Sequence, residues 1–219
     1  MMKYIALLTI SVFSLLSHGS TCRADSWGPI TKFEFRSEND RYLLRIEPHN
    51  NWPDKPGHCR GILYRLNGEK RNEIWSRFLV NNHAPVSVFV ANTGNYVVTM
   101  DEWHSVGELP VVVYGKRGEL VRVHSTDSLG LKDDIEHIKQ TVSSYWWNED
   151  STSFFGPEGE TFFIRLHWGK LLMLELRDGD LMDDEWYEIA KGWAMPEKKW
   201  KALHDYAKQK LGAKPTAQP

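Results

Sequence analysis

Cysteine is the scarcest informative residue: 219 residues carry two, Cys22 and Cys59. That excludes a disulfide-stapled scaffold, and a Cys-rich zinc module with it. Charge of one sign is also missing. Lys plus Arg number 27 against 29 Asp plus Glu, a formal charge of −2, so there is no basic excess of the kind that draws a chain to nucleic acid. The nine histidines include no HxH or HExxH spacing, and no GxSxG elbow occurs. "GPEGE" and "GKRGE" contain glycine but do not open a phosphate-cradling loop before a helix. No reaction is fixed by a motif, and no cofactor is implied. Aromatic residues are plentiful instead, with ten Trp, eight Tyr and nine Phe. Such large rings supply core area and contact surfaces.

The longest apolar run, Tyr4 to Leu16, is too short to span a bilayer comfortably. It follows Lys3 and precedes small and polar residues, the layout of a secretory signal peptide over 1–24. Cleavage after Ala24 is expected, with cleavage after Gly19 as the rival. Loss of 1–24 removes Lys3 and Arg23 and no acid, leaving 25 basic against 29 acidic residues, a charge of −4. The expectation is an exported protein, periplasmic or extracellular, without a transmembrane segment. Cys59 would then stand alone, either buried and inert or a reactive or intermolecular thiol.

The chain repeats itself three times. The first unit reads "FEFRSENDRYLLRIEPHNNW" then "GILYRLNGEKRNEIW"; the second, "VFVANTGNYVVTMDEW" then "VVVYGKRGELVRVH"; the third, "SFFGPEGETFFIRLHW" then "LLMLELRDGDLM". Each runs strand, polar turn, strand, Trp, strand, glycine turn, strand. Tyr42, Tyr96 and Phe162 open the second strands. Trp52, Trp103 and Trp168 fall in the loops after them, and Gly68, Gly118 and Gly179 fall in the last turns. A four-stranded sheet cannot bury both faces alone, but stacked sheets can. The units are expected near 30–80, 86–125 and 142–182, together one repeat domain over 25–182, with the Trp residues covering the seams.

These units resemble the blades of a β-propeller, above all in "VSVFVANTGNYVVT", and the middle unit resembles uncharacterised secreted bacterial proteins with a "GNYVVT-D-W" and "VVVYG-GELVR" pattern. The resemblance implies an all-β core of about twelve strands in three four-stranded antiparallel units. It carries no catalytic residues with it. Closed propellers typically have four to eight blades. Three units would therefore form an open arrangement, or two chains would complete a ring as a homodimer.

Two segments break the pattern. "STDSLGLKDDIEHIKQTV" predicts a helical insertion near 127–141, with Leu131, Ile135 and Ile138 on one stripe and Asp127 or Asp133 as cap. Residues 183–212 predict C-terminal α-helices on the stripes Trp186, Ile189, Ala190, Trp193 and Trp200, Leu203, Ala207, Leu211. A disordered tail follows at 213–219.

The chemical candidates cluster at strand ends. Counting five from Tyr42, Tyr96 and Phe162 reaches Glu47, Asp101 and His167. With His104 or His49 nearby, these could gather as a mixed oxygen and nitrogen metal site for a hydrolase or lyase. The competing expectation is a non-catalytic binding module, whose loops at Trp52, Trp103, His104 and Trp168 meet a protein, peptide or glycan. The Pro-rich loop "PHNNWPDKPGH" adds His49 and His58 to that face.

Overall fold

A computed structural model describes residues 27–49 and 57–182. The predicted signal peptide, Trp52, the predicted C-terminal helices and the tail lie outside the described residues. Three four-stranded antiparallel sheets, each paired in chain order, form the molecule as propeller-blade-like units. The first holds β1 (Phe33–Arg36), β2 (Tyr42–Glu47), β3 (Arg60–Asn67) and β4 (Lys70–Phe78). The second holds β5 (Pro85–Val90), β6 (Val97–Glu102), β7 (Val111–Tyr114) and β8 (Leu120–His124). After a connector carrying the short ribbon β9 (Lys139–Gln140) and β10 (Tyr145–Trp146), the third holds β11 (Thr152–Phe155), β12 (Thr161–Arg165), β13 (Leu171–Glu175) and β14 (Asp180–Met182).

Strand alternation decides how the sheets stack. Val97, Val112 and Tyr114 of the second sheet join Leu44, Ile46, Leu63 and Trp75 of the first in one core. The opposite face, Val98, Met100, Val111 and Val113, joins Phe162, Ile164, Leu172 and Leu174 of the third. Neighbouring residues on a strand point to opposite faces, so β6 and β7 are buried at every position. Fully burying one such side chain stabilises the fold by about 1.5–3 kcal/mol. The repeat marks fall as the spacing predicts: Tyr42 opens β2, Tyr96 precedes β6, Phe162 sits in β12, and Gly68, Gly118 and Gly179 turn with φ of 60°, 74° and 76°.

The insertion departs from expectation. Lys132–His137 forms a 3-10 turn, not an α-helix; Asp134 leaves helical geometry and no side chain caps the start. Leu131 and Ile138 are buried, but Ile135 is exposed, so the supposed stripe is not one face. Asp127 pairs with Lys132, and Asp134 reaches across to Lys170 at 2.5 Å. The segment is held by these contacts and by Leu131, which a short uncapped helix would not supply. The third sheet accordingly starts at Thr152, ten residues after the predicted boundary. Cys59 is fully buried, and burial pushes its thiol up to about 12, the inert state of a lone cysteine. Among the described residues no helix is long and apolar enough to cross a membrane.

Candidate functional site

The stretch Asp101, Glu102, Trp103, His104 ends β6 and turns back on itself, with Ser105 N donating to Glu102 O at 3.0 Å. Two residues of it take left-handed backbone, Asp101 at φ +62° and His104 at φ +75°. That conformation is uncommon outside glycine and is most tolerated by Asn, Asp and His. In Asp101 it goes with a carboxylate turned inward. Oδ1 accepts from Gly107 N and from Trp147 Nε1, both at 2.8 Å, and Oδ2 accepts from Asn148 Nδ2 at 2.8 Å. The residue is fully buried. Burial lifts its pKa to about 7, against the three donors that favour the charged form.

Glu102 faces the other way. Its Oε2 accepts from Asn82 N at 2.9 Å and Asn81 Nδ2 at 3.2 Å, and its Oε1 accepts from His83 N at 2.8 Å. His83 Nδ1 lies 3.3 Å from the same Oε1. Asn81 Nδ2 also donates to Asp101 O at 3.0 Å. The paired carboxylates thus fasten two loops. Asp101 holds 107 and 147–148, and Glu102 holds 81–83 at the entry to β5.

Between these fastenings lies a cleft of about 380 Å³, lined by Trp27, Gly28, Pro29, Ile30, His49, His83 and His104. His49 N donates to His83 O at 3.1 Å, which brings the end of β2 beside the start of β5. The His104 ring stands 5.5 Å from Trp27 and 5.9 Å edge-on to His83. Its pKa is lowered, first by burial and then by the neighbouring His83. Behind it, Trp103 sits 5.1 Å from Trp27 and 5.8 Å from Phe33, in the seam between the first two sheets.

The other sequence candidates are placed elsewhere. Glu47 pairs with Arg45 at 3.0 Å. His167 is exposed, edge-on to Trp168 at 4.8 Å. Trp168 stacks on His137 of the connector at 5.5 Å. Among the described residues no group of three or more His, Cys, Asp or Glu is placed to hold a metal ion, so Glu47, Asp101, His104 and His167 do not gather into a metal site. His83 was missed: "NNHAP" shows a lone histidine, and only the pairing of β5 with β6 brings it to Glu102.

No protein-family model matches the sequence, and no curated protein matches it. Among solved structures, the chain is similar to a periplasmic gluconolactonase of Pseudomonas aeruginosa at 13% identity and a TM-score of 0.42, covering 68% of this chain and 41% of that one. It is similar to a putative 6-phosphogluconolactonase of Bacteroides fragilis at 13% identity and a TM-score of 0.38, covering 70% and 37%. It is likewise similar to the C-terminal WD40 domain of Sif2 at 13% identity and a TM-score of 0.36, covering 71% and 38%. The chain therefore spans about two fifths of the length of each of these proteins.

Proposed function

We propose that this chain is an exported binding module that grips a protein or peptide partner at the cleft of Trp27, His49, His83 and His104. The observation that carries the reading is the meeting of three imidazoles and an indole in one cleft at the seam of two sheets. Trp27, Pro29 and Ile30 offer an apolar wall for a side chain. The imidazoles place polar ring edges beside that wall. In this reading His104 touches the partner and Trp103 supports it from behind. Trp52 and Trp168 belong to the expected face only if their own alanine variants weaken capture.

The test is selection of phage-displayed random peptides on the parent protein, followed by affinity measurement on His104→Ala. A loss of tenfold or more in protein still folded at the assay temperature supports the cleft. Selected peptides that bind His104→Ala as tightly as the parent overturn it.

A second reading has one observation of its own. Glu102 against His83 Nδ1 is the arrangement that orients an imidazole as a general base. A hydrolase or lyase built on it would turn over an ester or glycoside panel and lose that turnover in His83→Gln. Equal rates in parent and variant would dismiss it.

A further inference from the structure

A second groove lies apart from the histidine cleft, between β5 and β11, the first strands of the second and third sheets. Each is an edge strand, paired on one side only. The groove measures about 530 Å³, within the roughly 300–1,000 Å³ of small-ligand sites. Phe89 and Trp146 give it apolar surface, and Ser87 and Thr152 give it hydroxyls. Its one charged lining residue, Glu149, is ion-paired with Lys139 at 2.9 Å. Asn148 lines it too, with its amide nitrogen donating to Asp101.

We infer that this groove binds a neutral sugar unit. A pyranose has apolar C–H faces and a rim of hydroxyls that both donate and accept. Aromatic surface suits the faces, and serine and threonine hydroxyls suit the rim. Charge balance in the lining leaves an anionic or cationic ligand without a counter-ion there. An added peptide strand fits less well, because β5 opens with Pro85, which removes a backbone donor from that edge. Trp146 is held ready by stacking on Trp27 at 5.8 Å and 15°. The inference does not depend on the peptide reading of the histidine cleft, since the two lining sets share no residue.

The test is calorimetric titration with maltotriose, cellotriose and chitotriose on the parent, Ser87→Leu, Thr152→Tyr and His104→Ala. The parent is expected to bind at least one of the three. Ser87→Leu and Thr152→Tyr fill the groove from opposite strands and are expected to cut that affinity tenfold or more at unchanged Tm. His104→Ala is expected to leave it unchanged, so failure here and failure of the histidine cleft are told apart. Binding of none of the three sugars by the parent overturns the inference. So does binding that survives both groove-filling variants in folded protein, or a peptide that protects the β5 edge amides from exchange where no sugar does.

Discussion

The second sheet and the outer strand of the first are built from different residues and live in different surroundings. In β6 and β7 every position is buried, because one face meets the first sheet and the other meets the third. In β4, nine residues long, only Trp75 is buried; Ile74 and Phe78 are 40% and 75% exposed. A strand covered on both faces reads as a continuous apolar run, and one covered on a single face alternates. "VVTM" and "VVVY" against "KRNEIWSRF" show the contrast in sequence. It teaches that the middle unit is the keystone of a three-sheet stack.

Several substitutions sharpen that comparison. The largest effect is expected at Trp147, fully buried in the core between the second and third sheets. Trp147→Ala should cost roughly 3–5 kcal/mol in urea unfolding, against about 0.5 kcal/mol for Ile74→Ala on the exposed strand. Equal costs would mean that the middle sheet is no better covered than the edge.

Asp101→Ala comes next. It leaves Gly107 N and the Trp147 indole N–H without their acceptor in a buried place. The expected loss is roughly 2–5 kcal/mol, read by the same unfolding experiment.

Two turn glycines form a matched pair. Gly94 and Gly68 both have positive φ, at 71° and 60°. An added Cβ at Gly94 would meet the Tyr42 ring at 2.3 Å, whereas at Gly68 nothing lies within 4 Å. Gly68→Ala should cost about 1 kcal/mol from backbone strain alone, and Gly94→Ala roughly 2–3 kcal/mol, because Tyr42 must also move. Equal melting shifts would place the Tyr42 ring elsewhere.

The last comparison is a pH dependence. Asp101 is raised from 3.8 to about 7 by burial. The folded state therefore holds a proton that the unfolded state has lost between those values, and stability falls as pH rises from about 4 to about 7. His104 and His124 act in the opposite sense. Burial holds both below their ordinary 6.5, so stability is lost as pH falls below that value. The stability of the parent minus that of Asp101→Asn isolates the carboxylate. It should decline across pH 4 to 7 and level off above; a flat difference would mean that Asp101 titrates at its ordinary value.

Much of the fold was legible because it rests on local chemistry. Four strands per unit follow from apolar runs between turn residues, and Gly68, Gly118 and Gly179 take the left-handed turns that their spacing implied. The seam role of Trp103 was also readable from its place after the second strand. The insertion was not. Leu131, Ile135 and Ile138 keep helical spacing, yet the buried contacts of Leu131 and Ile138 and the Asp134–Lys170 pair override a weak local preference. The site was half legible. "DEWH" drew attention as a cluster, but its two carboxylates turn to opposite loops as fasteners. The left-handed backbone of Asp101 that accompanies this leaves no periodic mark in the sequence. His83 and His49 reach His104 only through the pairing of sheets, over separations that motif spacing cannot show.

The central claim is that the buried acids of this loop hold the fold while its histidine meets the partner. Melting and selected-peptide binding of His104→Ala, measured beside the parent, test it most directly. The account predicts a folded variant whose stability falls only by the strain of alanine in left-handed backbone, about 1 kcal/mol, and a tenfold or greater loss of binding. A variant that does not fold, or one that binds like the parent, would contradict it.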